Sequence, residues 1–187
     1  MKFSRKRRGL VALALSPMLV SGMTQTTFAA GSHDGGHGDK KSEKSEIGYP
    51  GKASATTRSI TVEMYDTYYK PEKLEIKEGE TVRFVVVNKG ELVHEFNIGT
   101  PKSHAEHQPQ MMEMMENGVL EIDRIRHDKM QHGEGGMSHD HANSALLEPG
   151  QSAEIVWTFD TEAKLEFACN VPGHYQSGMV GPIKLND

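Results

Sequence analysis

From Arg58 to the C-terminus, apolar residues recur at every second position in short runs, and this alternation decides the fold class. Ile60, Val62 and Met64 alternate with Thr61 and Glu63, and Leu74 and Ile76 alternate with Lys73, Glu75 and Lys77. Val82, Phe84 and Val86 follow the turn Glu78-Gly79-Glu80, and the apolar run Leu92 to Ile98 follows Asn88-Lys89-Gly90. Past a Pro149-Gly150 turn, Ile155, Trp157 and Phe159 mark one strand face, Leu165 and Phe167 lead into Cys169, and Val180 to Leu185 closes the chain. Short strands at regular spacing with turn signals between them predict an all-β sandwich or barrel of seven to eight strands.

One stretch breaks the pattern. Pro101 to Asn143 is too long for an ordinary connection, which marks it as functional or disordered. Six of the ten histidines fall here (His104, His107, His127, His132, His139, His141), with six of the eleven methionines (Met111, Met112, Met114, Met115, Met130, Met137). Gln110–Asn117 and Leu120–Lys129 read as two short helices, and Pro109 argues against one helix running from His104 through Met115. Met111, Met114 and Met115 at helical spacing suit an amphipathic cover. The repeated histidines suit metal binding equally well.

The only cysteine opens the segment Cys169-Asn170-Val171-Pro172-Gly173-His174-Tyr175-Gln176-Ser177-Gly178-Met179. Thiolate, imidazole and thioether in one loop are three of the four donors of a copper electron-transfer site, which takes one Cys, two His and a weak axial Met. The second histidine has to come from elsewhere.

This loop resembles those of the cupredoxins, the small type 1 (blue) copper proteins. The Pro172-Gly173-His174 turn is similar to azurin's, and the placement of Gly178-Met179 is similar to plastocyanin's. The resemblance covers roughly Arg58 to Asp187 and implies a Greek-key β-sandwich with one type 1 copper site. It places the upstream imidazole after the strand Val82–Val87, which selects His94. Excising the His/Met-rich insertion brings the 75-residue separation of His94 and Cys169 to the ordinary length for the family. The resemblance thus implies His94, Cys169, His174 and Met179 as ligands, and an electron-exit patch of Pro172, Gly173, Tyr175, Val180 and Gly181 around His174. Many members carry Asn after the upstream histidine; Glu95 stands there in this chain, which puts the potential in question rather than the ligation. The combination with a His/Met-rich segment is most similar to the periplasmic copper-tolerance cupredoxins of bacteria.

The N-terminus fits export. Lys2, Arg5, Lys6, Arg7 and Arg8 precede the short apolar core Leu10–Val20, and small residues lead to Ala29 and Ala30. This is the pattern of a cleaved signal peptide over residues 1–29, or 1–30, and not of a spanning helix. Lys6-Arg7-Arg8 is compatible with Sec or twin-arginine export, and the expected destination is the periplasm. Cleavage removes five cations and no acid, taking the net charge from −5 to −10. An acidic exported chain is a poor nucleic-acid partner. Residues 30–57 are polar and read as a disordered, histidine-containing linker, in which Gly31-Ser32-His33 would chelate Cu(II) if cleavage fell after Ala30. A single thiol in an oxidising compartment is a liability unless a metal holds it.

These features exclude most enzymes. Multicopper oxidases flank the cysteine with histidines, but Ala168 and Asn170 stand here; a binuclear copper centre needs two cysteines; and no Ser/His/Asp constellation stands out. The expectation is a monomer without a membrane anchor, which exchanges electrons with a redox partner, contributes to copper tolerance, or does both. The alternative is a copper buffer or delivery protein whose insertion binds further copper.

Overall fold

The computed structural model describes residues 45–129 and 141–187. The expected signal peptide, most of the expected linker, and Met130, His132, Met137 and His139 lie outside those residues.

Among the described residues, ten strands form two five-stranded sheets. The first contains β1 (Tyr49–Pro50), β8 (Ser152–Thr158), β5 (Thr81–Asn88), β2 (Arg58–Met64) and β3 (Tyr69–Lys70), in that spatial order. The second contains β4 (Leu74–Lys77), β10 (Val180–Asn186), β9 (Leu165–Ala168), β6 (His94–Gly99) and β7 (Ser144–Leu147). Three strands have no counterpart among the runs read from the sequence: β1 and β3, each two residues long and too short to show alternation, and the four-residue β7. The chain passes repeatedly from sheet to sheet, so the inner faces are built from segments distant in sequence. Phe84 of β5 meets Phe96 of β6 with ring centroids 5.5 Å apart, and Phe96 meets Phe167 of β9 at 5.6 Å. Tyr69 packs edge-on against Phe167 at 5.0 Å, closing an aromatic cluster between the sheets.

The sandwich begins earlier than Arg58, correcting the expected linker boundary. β1 pairs with β8, the Trp157 indole N–H donates to Ile47 O (2.9 Å), and the Thr161 hydroxyl donates to Glu46 O (2.7 Å). An indole N–H in a β-strand otherwise nearly closed to solvent needs an acceptor, and this segment's backbone supplies it.

The insertion also differs from expectation. A single helix, α1 (Pro101–Glu116), runs through Pro109. Its start is strongly determined: Thr100 caps it, Ser103 completes a capping box, and Pro101 sits in the first turn. Proline inside a helix costs about 3 kcal/mol, and here the burial of His104, Met111 and Met114 against the sandwich offsets it. The segment after α1 is no second helix but an irregular run with a Leu120–Ile125 bridge and a 3-10 turn at His127–Lys129.

The helix changes what β6 can be. A sheet with one open face alternates buried and exposed residues, yet all six residues of β6 are buried. His94, Phe96 and Ile98 share the parity that faces the other sheet. Glu95, Asn97 and Gly99 share the opposite one, and His107 of α1 reaches the Glu95 side chain there.

Candidate metal centre

His94 opens β6 and Cys169 follows β9, the two being antiparallel neighbours. Extending their register past Asn97↔Ala168 sets Glu95 across from Asn170, so both ligand candidates arrive at one end of the sandwich. Asn88 fixes the turn ahead of His94: its Nδ2 donates to Leu92 O (2.8 Å) and Leu147 O (2.9 Å), and its Oδ1 accepts from Gly90 N (2.9 Å). Tyr69 Oη donates to Glu95 O at 2.6 Å and anchors the strand from the core side.

The loop after Cys169 folds back on itself. His174 N donates to Val171 O (2.9 Å), Met179 N to His174 O (3.0 Å), and Cys169 N to Met179 O (3.1 Å). The two turns need positive φ, +89° at Gly173 and +95° at Gly178, which glycine adopts without strain. The three residues that sequence spacing singled out are therefore held on one short, closed loop.

One donor atom each of His94, Cys169 and His174 lies within 4.8 Å of the others, the one such three-residue cluster among the described residues. Cys169 Sγ is 3.4 Å from His174 Nδ1 and 4.0 Å from His94 Nδ1. Cys169 and His94 are fully buried, His174 is partly exposed, and Met179 is buried. Burial pushes the Cys169 thiol up to about 12, and the Glu95 charge adds to this. Burial lowers both imidazoles, His174 further through its neighbour His94 and His94 less because Asp66 pulls the other way. Neutral imidazoles can coordinate without losing a proton, whereas the thiol has to give one up to a metal.

Glu95 is the unexpected centre of this end of the molecule. Its side chain is fully buried and accepts five hydrogen bonds. Asn97 Nδ2 (3.2 Å), His107 Nε2 (3.1 Å) and Ser144 Oγ (2.6 Å) meet Oε1. Asn170 N (3.3 Å) and Nδ2 (2.8 Å) meet Oε2. Burial alone would push the carboxyl up; the bonds from His107, Ser144 and Asn170 outweigh it and hold the group at about 2. His107 lies opposite: burial lowers it, but Glu95 raises it further, and its other nitrogen sits 3.2 Å from Gln110 Oε1. An ionised carboxylate and a charged imidazole thus join β6, the Cys169 loop, β7 and α1. Glu95 N also donates to Cys169 Sγ at 3.3 Å.

The expected ligands thus converge, as does Met179 through its backbone. His104 is drawn instead into packing beneath α1, where its Nδ1 lies 3.2 Å from Asn170 Nδ2. In the expected exit patch, Gly173, Pro172, Tyr175 and Val180 reach the surface, but Gly181 is buried: a Cβ there would stand 2.2 Å from the Phe167 ring. No sequence pattern pointed to Asp66 or Asn170 at the site. Glu95 did carry a signal, as a lone charge inside an apolar run.

A buried thiol without a disulfide partner, two neutral imidazoles aimed at it and a buried thioether at the end of the same loop form a donor set suited to copper. The sequence matches the copper-binding proteins of the plastocyanin/azurin family over residues 56–186. The chain belongs to that family and is a copper-binding cupredoxin. Its relatives include the copper-resistant cuproprotein CopI of Pseudomonas aeruginosa, 50% identical over 148 residues that span 74% of this chain and 82% of the relative. The CopI of Rubrivivax gelatinosus is 36% identical over 137 residues, 73% and 71% of the two chains. Among solved structures, auracyanin B shares the fold with a TM-score of 0.55 at 16% identity, across 75% of this chain and 96% of that one.

Proposed function

We propose that the protein is an exported type 1 copper protein of the periplasm that contributes to copper resistance, with one-electron transfer at a centre made by His94, Cys169, His174 and Met179. The observation that carries this reading is the convergence of the three strong donors within 4.8 Å on a frame closed by its own backbone hydrogen bonds. Such a frame resists rearrangement, and a centre that barely moves between oxidation states exchanges electrons rapidly. His174 is the ligand nearest solvent, so Pro172, Gly173 and Tyr175 around it are the natural contact for a redox or copper-handling partner. The resistance role rests on the CopI relatives. No helix among the described residues is long and apolar enough to cross a membrane.

The alternative is a buffer that stores several copper ions. Met111, Met114 and His104 of the insertion are buried in packing, the cover reading of that segment. Copper titration followed by visible absorption tests the proposal. One equivalent should produce an intense thiolate-to-Cu(II) charge-transfer band and saturate it. A colourless Cu(II) complex would sink the assignment, and several equivalents of comparable affinity would favour the buffer.

Met179→Leu checks the fourth ligand. The visible band should persist and the reduction potential should rise, because an apolar side chain in place of the axial donor disfavours the more highly charged Cu(II). An unchanged potential would place the Met179 thioether outside the coordination sphere.

A further inference from the structure

Asp66 lies in the turn between β2 and β3, 28 residues before His94. Its Oδ1 meets three donors of the segment that leads into β6: Glu91 N (2.8 Å), Leu92 N (3.2 Å) and His94 Nε2 (3.1 Å). Gly90 closes over this contact. A Cβ at Gly90 would stand 2.2 Å from Asp66 Oδ1 and 2.8 Å from His94 Nε2. The missing side chain at position 90 therefore makes room for the carboxylate–imidazole pair.

An ionised carboxylate only accepts hydrogen bonds, so His94 Nε2 carries the proton. The Nδ1 lone pair is then left on the side of Cys169 Sγ, 4.0 Å away. We infer that Asp66 is a positioning residue of the copper centre: it fixes the tautomer and ring direction of His94 and biases the loaded site toward Cu(II). This rests on His94 being a ligand, as proposed above. A carboxylate behind a metal-bound imidazole makes the imidazole a stronger donor. A stronger nitrogen donor stabilises the more highly charged Cu(II) more than Cu(I). The Asp66 side chain is 42% exposed, so solvent screens its field and the effect travels mainly through the hydrogen bond.

Two measurements test this. In Asp66→Asn the amide oxygen can still accept from all three donors, but the charge is gone. Its affinity for Cu(II) relative to Cu(I) should fall about tenfold, the lower end of what such partners contribute. For a one-electron couple, that ratio is a rise of about 59 mV in the reduction potential. A potential equal to that of the unaltered protein would overturn the bias toward Cu(II). The second measurement needs neither copper nor a variant: nitrogen NMR of the metal-free protein should show His94 protonated on Nε2. Protonation on Nδ1 would overturn the positioning role, even if Asp66→Asn failed to fold. Failure of the His94 ligand assignment would show separately, as a His94→Ala variant whose charge-transfer band and potential match those of the unaltered protein.

Discussion

Cys169→Ala is expected to abolish the visible charge-transfer band completely while leaving the sandwich folded. The sulfur is the electron donor in that transition, and no other described thiol can replace it. His94 and His174, with ring centroids 5.0 Å apart, remain as a pair of imidazoles. They would bind Cu(II) weakly and without strong colour. The structural cost is small by comparison: the Glu95 N–H loses the sulfur that accepts its hydrogen bond at 3.3 Å, a loss of about 1–3 kcal/mol. A second readout follows from the thiol being held up to about 12. Near neutral pH it is protonated without metal, so copper binding should release about one proton per ion. Calorimetry in buffers of different ionisation enthalpy counts that proton, and the alanine variant should not release it. Retention of the band, or an unchanged proton count, would remove Cys169 from the centre.

Glu95→Gln is expected to produce the largest loss of stability, read from acid and denaturant unfolding of the metal-free protein. A fall of the folded-state value from 4.5 to about 2 corresponds to about 3 kcal/mol. The sign follows from the direction of the shift. The unfolded chain takes up the Glu95 proton more readily than the folded one, so the contribution is full above about pH 4.5 and disappears as pH falls toward 2. His107 is displaced the other way, upward. Its contribution is full below its unfolded value of 6.5 and is lost as pH rises through the folded one. The pair therefore stabilises most between those limits. The glutamine variant should be weaker at pH 6 and lack the acid slope between 4.5 and 2. It also turns a donor toward either Asn170 or the His107 and Ser144 pair, where only an acceptor fits. An unaltered acid transition in Glu95→Gln would show that the carboxylate is not the group being protonated.

The sandwich and three of the four candidate donors were legible because each rests on a short-range pattern, whereas His94 came from the family resemblance. Ile60, Val62 and Met64, or Ile155 and Trp157, show their inward face by alternation alone. The Cys169–Met179 loop shows three donors by spacing. β1 and β3 were hidden because two residues carry no period, and α1 because Pro109 spoke locally against a helix that Thr100, Ser103 and core burial impose. Asp66 could not be read at all: it meets His94 only because the β2–β3 turn and the start of β6 end at the same place. Glu95 could be noticed as a departure from the family's usual Asn, but not explained. Its countercharge comes from His107, on a segment whose fold the sequence misassigned.

That countercharge gives the insertion a different standing from a decorative loop. Shortening this chain to a minimal cupredoxin looks like simple pruning, since α1 and its flanks leave from one strand of the sandwich and return to the next. But pruning would strip His107 from a carboxylate that has no exposed surface, beside the thiol proposed as a copper ligand. The shortened protein would need a second edit, a neutral residue at Glu95 able to bridge to Asn170. Helix and acid are thus two halves of one part, and transplanting either into another scaffold without its partner would carry over a fault rather than a function.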